Sequence, residues 1–355
     1  MKNAFVGAIQ RERNFLLVIG ACLLVAGGFY QQPSVAMWIG FAVAGYSAIA
    51  NDSIQTLGTF IASNQRTPWW AMWLFVGSIF LATVSYSWLS FDGDVSHGRL
   101  MSKGFDKAPE TFEFLQVAAP IFLLILTRLR MPVSTTFLLL SCFATEAKGF
   151  WAVTTKSLNG YLIAFVVAIA VWLSVGPLLK RVFKGEASVG WVIAQWLSAG
   201  FLWSVWLMQD AANIAVYLPR SLSAGQFAAF AGMIFFGLGV LMWMGGEKVQ
   251  EVVNEKADVS DVRSATVINI IYGIILYVFK VLSDVPMSTT WVFVGLLAGR
   301  ELALALRQAS QEERSVSAAL KMAGRDLVYV TIGFLVAILI AASTNPVVRG
   351  ALFSG

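Results

Sequence analysis

Long apolar stretches alternate with short polar connections along the whole chain. Apolar runs of roughly 17 to 22 residues recur, and about 20 apolar residues suffice for a helix to cross a bilayer. The runs are Asn14–Tyr30, Ser34–Ala50, Pro68–Leu89, Thr111–Leu129, Leu158–Leu179, Val189–Met208, Gln226–Met244, Ala265–Leu282 and Leu327–Ser343. This pattern predicts an all-α polytopic membrane protein, in the cell membrane or, for a prokaryote, in the inner membrane.

The first run has a second interpretation. Basic residues precede it and small residues end it, as in a signal peptide. We favour an uncleaved first helix, because so many apolar runs follow.

Composition removes several other classes of protein. The 355 residues are 58% hydrophobic and 13% charged, with a mean hydropathy of +0.73, whereas soluble domains are about a quarter charged. The net charge of +5 needs no acidic partner, since Lys and Arg concentrate on cytoplasmic loops. The sequence has no basic cluster with interleaved aromatic residues, which is the pattern that would indicate nucleic-acid binding. Cys22 and Cys142 lie in apolar runs, and the single His97 cannot by itself form a metal site or a triad.

Two proline-led helix breaks carry the same three hydroxyl residues. Pro132-Val133-Ser134-Thr135-Thr136 interrupts one apolar region, and Pro286-Met287-Ser288-Thr289-Thr290 interrupts another. Proline suits the first turn of a helix and serine suits its N-cap. A helix N-terminus offers free N–H groups and partial positive charge to an anion. The competing interpretation is capping and hydroxyl bonding to a nearby carbonyl.

Two acids continue apolar helices, which is costly in lipid. Asp52 follows Asn51 and precedes Gln55, and Asp210 follows Gln209 and precedes Asn213. Such carboxylates face the protein interior or a cavity and are usually functional. They are candidates to bind Na⁺ or to carry a proton; alternatively, each only caps a helix.

The spacing of these features indicates an internal repeat. Asp52 and Asp210 are 158 positions apart, and Ser134 and Ser288 are 154 apart. We therefore divide the chain into an extra N-terminal transmembrane helix (1–33), a first repeat (34–185), a second repeat (186–345) and a short tail (346–355).

The basic residues predict that the second repeat is inverted. The run ending at Leu179 leads to Lys180, Arg181 and Lys184, which places its end in the cytoplasm. The two broken helices then enter as re-entrant hairpins from opposite faces, with Ser134 and Ser288 meeting near mid-membrane. Phe91–Glu110 is interpreted as a solvated outer loop, although its three basic residues run against the charge rule.

The four motifs together resemble the inorganic phosphate transporter (PiT) family. The two acidic segments are similar to its paired G-A-N-D-V-A-N signatures, and the two Ser-Thr-Thr segments to its paired P-V-S-T-T-H motifs. Gly245–Val253 is similar to the family's stretch ahead of the second hairpin. The resemblance covers roughly residues 34 to 343 and identifies a divergent member.

The resemblance implies an ion-coupled symporter of a small inorganic oxyanion, with phosphate first and Na⁺ or H⁺ as the coupling ion. It implies no enzyme and no cofactor, and it leaves a homodimer open. The implied anion-binding residues are Gln55, Ser134, Thr135, Thr136, Asn213, Ser288, Thr289 and Thr290. Arg130 joins them on its own chemistry, at a position where the family tends to be neutral. The implied cation-binding residues are Asn51, Asp52, Gln209 and Asp210, with Asp52 and Asp210 as the Na⁺ ligands if sodium is coupled.

Departures from the family pattern keep other substrates open. Phe137 and Trp291 stand where the family has histidine after each Ser-Thr-Thr run. Sulfate or another anion, and an uncoupled channel or facilitator, remain alternatives. An intramembrane hydrolase is disfavoured because both acids lie in the same repeated local motif.

Charges beside the two prolines give a further hypothesis. Arg130 could pair with an oxyanion, or it lies at the membrane surface on a shallower hairpin. Asp284 is expected to partner Arg130 or to add a cation ligand.

Overall fold

The computed structural model describes most of the chain as helices. It covers residues 2–102, 104–129, 131, 133–176, 185–243, 261–308 and 316–353, without the side chains of 2–11, 53, 54 and 308. The helices are α1 Lys2–Phe29, α2 Pro33–Thr56, α3 Gly58–Ser63, α4 Trp69–Ser90, α5 Phe114–Arg128, α6 Ala147–Ser174, α7 Val189–Ala215, α8 Ala224–Trp243, α9 Val262–Leu282, α10 Thr289–Gln308, α11 Val316–Thr344 and α12 Pro346–Phe353. A π-helical turn (Thr136–Leu140) and a 3-10 turn (Ser141–Phe143) precede α6.

The helices have the length and surface of a multi-pass membrane protein. Within the described ranges, nine helices are long and apolar enough to cross a membrane, namely α1, α2, α4, α6, α7, α8, α9, α10 and α11. Leucines such as Leu24 on α1 and Leu339 on α11 are largely exposed. Water would not favour these surfaces, whereas lipid tails do. The predicted all-helical polytopic class is thereby confirmed.

The order of helix contacts repeats between the two halves. α5 packs on α2 in the first half, and α9 packs on α7 in the second. α4 of the first half packs on α8 of the second. α6 of the first half makes an extensive contact with α10 of the second. This pairing is what a repeat requires, while the domain limits, the inversion and the re-entrant geometry stay predictions.

Glycines set the closeness of the α6–α10 contact. Gly295 and Gly299 lie four residues apart on α10, so they face the same side and allow close approach of helix backbones. A Cβ built on Gly295 would overlap the Tyr161 carbonyl oxygen, and one on Gly299 would overlap the Phe165 carbonyl oxygen. Backbone atoms cannot rotate away as a side chain can.

The chain after the first break differs from the prediction. The sequence predicted an apolar helix to about Ala147, but a π turn and a 3-10 turn end at Phe143, and α6 begins at Ala147 rather than Leu158. Ala144 and Glu146 are extended between them, and the Thr145 N–H donates to the Gly104 carbonyl. That bond to another segment takes the place of a helical one.

The predicted tail is also partly structured, because α12 begins at Pro346. The Asn345 side chain donates to the Ser141 and Ala144 carbonyls, and its oxygen accepts from the Val347 N–H. These bonds attach the end of the chain to the first break.

The connection between α4 and α5 is solvated only in part, because Asp106, Lys107 and Glu110 are exposed but the inner residues are not. For those inner residues the prediction is wrong. Val95, Ser96, Arg99, Leu100 and Phe105 are all buried. The reason is local hydrogen bonding: one carboxylate, that of Asp94, accepts from the Ser96 N–H and hydroxyl and from the Gly98 N–H. The polar backbone is satisfied internally, and the loop can fold inward.

We predict that Gly299→Ala destabilises the protein by about 1–3 kcal/mol, because the new methyl group displaces the backbone of α6. Thermal unfolding of the purified protein in detergent measures this. Gly232→Ala is the matched control, since a Cβ there meets no atom within 4 Å. A Gly299→Ala protein as stable as Gly232→Ala would contradict the close contact.

Candidate functional site

The two predicted acids meet at one hydroxyl group. The Thr135 Oγ1 lies 3.2 Å from Asp52 Oδ2 and 3.4 Å from Asp210 Oδ1. Asp52 is fully buried and Asp210 is 2% exposed. A hydroxyl carries one proton, so it donates to one carboxylate at a time. Residues far apart in sequence therefore share one buried polar centre.

Side-chain amides hold the two carboxylates in place. The Asn51 amide donates to Asp52 Oδ1 over 2.6 Å and to the Val133 carbonyl over 2.9 Å. The Asn213 amide donates to Asp210 and, over 2.9 Å, to Thr135 Oγ1. The amide in each motif thus links its own acid to the first broken segment.

The two Ser-Thr-Thr tips contact each other through reciprocal hydrogen bonds. The Thr136 hydroxyl donates to the Met287 carbonyl over 2.9 Å, and the Thr290 hydroxyl donates to the Val133 carbonyl over 3.1 Å. In each case the last hydroxyl of one triplet reaches the residue just before the serine of the other. The Gln55 amide adds a bond of 3.1 Å to the Thr290 hydroxyl.

The serines act as helix caps, as the competing interpretation expected. The Ser134 Oγ accepts from the Phe137 N–H at 3.1 Å, and the Ser288 Oγ accepts from the Trp291 N–H at 3.3 Å. An accepting hydroxyl keeps its own proton for another partner. Capping therefore does not exclude a contact with an anion.

Several buried oxygens around the acids are left without a donor. Within the described residues, Gln55 Oε1, Asp210 Oδ2, Asn213 Oδ1 and Gln209 Oε1 accept no hydrogen bond. Such orphan groups are rare in folded proteins, and oxygens of this kind can accept from water or bind a cation. Carboxylate and amide oxygens are ligands for hard cations, so this set fits Na⁺. The described residues hold no cluster of three or more His, Cys, Asp or Glu side chains near enough to bind a metal ion.

Other predicted ligands have different positions. The Asn51 Oδ1 lies 3.1 Å from the Thr127 hydroxyl, whose one proton also has the Leu123 carbonyl within 2.8 Å. The Gln209 amide donates to the Leu276 carbonyl on α9. The Thr289 hydroxyl lies beside Asp210 without a hydrogen bond of good geometry. These residues border the acids, and their roles stay predictions.

Asp284 lies at the end of α9, and its predicted partner Arg130 lies outside the described residues, as do Pro132 and Gly245–Val253. The Asp284 side chain is 59% exposed and pairs with Lys280 at 2.5 Å, one helical turn earlier. This pair forms because the end of α9 carries Lys280 into reach. The Asp284 carboxylate is therefore exposed and ion-paired with Lys280, and its pairing with Arg130 stays a prediction.

Aromatic rings occupy the two positions where the family pattern has histidine. The Phe137 and Trp291 ring centroids are 5.8 Å apart, and both rings contact Phe334 of α11 edge to face. Such contacts are packing interactions. They place an apolar layer directly after both tips.

Arg99 and Lys156 were missed as neighbours of the second tip. The Val285 carbonyl accepts from an Arg99 Nη and from the Lys156 Nζ, each at 2.7 Å. Lys156 also donates to the Ser283 carbonyl. The signal for Arg99 was present in the sequence, since basic residues in a loop assigned to the outside contradict the charge rule. Lys156 lies on α6 and gave no such signal.

The comparisons with known proteins give a structural likeness and no sequence relative. No family model matches the sequence, and no curated protein matches it. The fold is similar to a solved structure described as "The sodium-dependent phosphate transporter", with a TM-score of 0.53. The likeness covers 93% of this chain and 98% of that chain, at 18% sequence identity. At that identity it shows a shared fold alone, and this fold agrees with the predicted polytopic helical class.

We predict that Thr135→Val lowers the free energy of unfolding by about 1–3 kcal/mol, because two buried carboxylates lose their common donor. Thr135→Ser keeps the hydroxyl and is the matched control. Chemical or thermal unfolding of both variants at neutral pH measures the difference. Equal stability of the valine variant and the wild-type protein would mean that the hydroxyl does not hold the acids.

Proposed function

We propose that the protein is a secondary active transporter that moves a small inorganic oxyanion together with Na⁺ or H⁺. The observation that carries the proposal is the single buried network formed by two acids and two Ser-Thr-Thr tips. The likeness to a sodium-dependent phosphate transporter supports it at the level of the fold. Phosphate is the first substrate to test, followed by sulfate.

The charges of the site give a physical reason for coupling. At an effective dielectric constant of about 20, two like unit charges ~5 Å apart repel by about 3 kcal/mol. An oxyanion entering beside Asp52 and Asp210 meets this repulsion from both carboxylates. A cation bound by the acids, or a proton on one of them, removes it. The anion and the coupling ion therefore favour each other's binding.

Each group has a distinct part in this proposal. Asp52, Asp210 and the open amide oxygens of Gln55, Gln209 and Asn213 bind the cation, with Asn51 holding Asp52. The Thr289 hydroxyl, with Ser134 and Ser288 at the helix starts, donates to the anion. The hydroxyls of Thr135, Thr136 and Thr290 do so once they release their present acceptors. The aromatic layer formed by Phe137, Trp291 and Phe334 keeps water from the far side of the tips.

The test is uptake by the purified protein in liposomes. Labelled phosphate and labelled sulfate are offered separately, and the Na⁺ and pH gradients are imposed independently. Accumulation above equilibrium that follows one gradient supports symport with that ion. Flux that only dissipates the anion gradient would instead indicate a channel or facilitator.

We predict that Asp52→Asn and Asp210→Asn each abolish gradient-driven uptake while the protein stays folded. Removing a carboxylate deletes both a ligand and a charge from a hard-cation site, whereas losing a helix cap costs only about 1 kcal/mol. Uptake in liposomes and a thermal melt of each variant measure the two effects.

Asp261→Asn is the matched control for these variants. Asp261 caps α9 by accepting from the Arg263 N–H at 2.7 Å, away from the acidic pair. We expect this variant to transport at the wild-type rate. Normal coupled uptake by either site variant would assign Asp52 or Asp210 to capping alone.

A further inference from the structure

A single arginine from the inward-folded loop lies at the second tip. Arg99 is 0% exposed, although its loop connects the ends of α4 and α5. One Nη donates to the Val285 carbonyl at 2.7 Å, three residues before Ser288. The Nε and the other Nη have no hydrogen-bond partner among the described residues. A guanidinium with unused donors is a costly group to bury.

The loop is built to place this side chain. The Ser87 hydroxyl at the end of α4 donates to the Asp94 carbonyl and accepts from the His97 N–H. Asp92 and His97 have φ of 50° and 56°, a left-handed conformation that most residues avoid. Such strained positions persist only where surrounding contacts impose them. The loop therefore turns back toward the protein just before Arg99.

Arg220 shows how an arginine with a purely structural role differs. Its Nε donates to the Phe105 carbonyl, one Nη to the Lys107 carbonyl and the other Nη to the Val216 and Leu218 carbonyls. All three nitrogens are used, and the side chain clamps the same loop to the end of α7. Arg99 makes one such bond and leaves two nitrogens open, so clamping does not account for its burial.

The charge at the second tip is positive. Burial lowers the pKa of Arg99 to about 10, with the Asp210 and Asp284 carboxylates opposing the change, so the guanidinium stays protonated at neutral pH. Burial, together with Lys280 and Arg99, lowers the pKa of His97 to about 4, so the imidazole is neutral there. The Lys156 Nζ lies at the same Val285 carbonyl, and Asp284 is paired with Lys280. The Asp210 carboxylate is close enough to act electrostatically on Arg99.

We propose that Arg99 binds the transported oxyanion directly, through its open guanidinium N–H groups, and that it makes the site prefer dianions. This inference rests on the proposed function. The open Nε and the open Nη lie on different edges of the guanidinium, and each edge also carries an N–H of the Nη that binds Val285. Either edge therefore offers a parallel pair of N–H groups that matches two oxygens of a tetrahedral oxyanion. The anion would lie between Arg99 and the start of α10, with the Lys156 Nζ nearby. The cation and the anion then occupy opposite sides of the tip contact.

The experiment measures anion affinity of purified protein by isothermal titration calorimetry. Inorganic phosphate and sulfate are titrated at pH 6 and pH 8 with saturating Na⁺, and a thermal melt reports folding. Phosphate gains dianionic character across this range, whereas sulfate is divalent at both values. The variants are Arg99→Gln, which removes the charge, and Arg99→Lys, which keeps it but loses the planar pair.

We expect Arg99→Gln to raise the phosphate Kd at pH 8 by at least tenfold and Arg99→Lys by about threefold. The ratio of the phosphate Kd at pH 6 to that at pH 8 falls in Arg99→Gln, because the lost charge matters most for the dianion. A loop that is merely disordered would raise both values together and leave the ratio unchanged. Arg128→Gln is the control, because Arg128 is satisfied by a two-point pair with Glu12, and its Kd stays at the wild-type value.

The outcomes separate this inference from the proposed function. If the wild-type protein binds neither phosphate nor sulfate, the proposed function fails first. If the wild type binds and Arg99→Gln binds with the same Kd and pH ratio, Arg99 is not an anion ligand. If neither Arg99 variant folds while Arg128→Gln does, Arg99 belongs to the stability of the loop, and the proposal is overturned.

Discussion

The structure depends on how two carboxylates are kept side by side away from water. Asp52 and Asp210 come from different halves of the chain, yet one Thr135 hydroxyl lies between them. Burying two like charges without partners is among the most costly arrangements in a protein. The amides of Asn51 and Asn213 reduce this cost by donating hydrogen bonds to the carboxylates, and the two broken segments pack around them. Packing elsewhere, such as the close contact of α6 with α10, brings those segments together.

The apolar pattern predicted most of the helices because lipid imposes a simple rule on length and polarity. The breaks at the two Ser-Thr-Thr runs followed from proline and hydroxyl chemistry. The association of Asp52 and Asp210 with them rested on the repeat spacing and on the family resemblance. The π turn after Thr135 and the start of α6 at Ala147 did not follow. They depend on contacts between distant segments, such as the Thr145 N–H with the Gly104 carbonyl.

Arg99 shows why a charged residue in the sequence cannot be assumed to be exposed to solvent. A stretch with seven charged side chains between Phe91 and Glu110 looks solvated when each residue is taken separately. The hydrogen bonds of Asp94 and Ser87 satisfy its backbone internally, and only the folded loop shows where the arginine lies. The pairing of Asp284 with Lys280 was likewise not predicted, since it depends on where α9 ends.

The reciprocal threonine bonds have a consequence for movement. Thr136 is bound to the backbone before Ser288, and Thr290 is bound to the backbone before Ser134. If either tip moves away, both hydrogen bonds break: the one that its own threonine hydroxyl donates and the one that the other tip's threonine donates to it. The two tips therefore work as an interlock: displacement of one removes a restraint from the other, and both restraints return only when the tips close together.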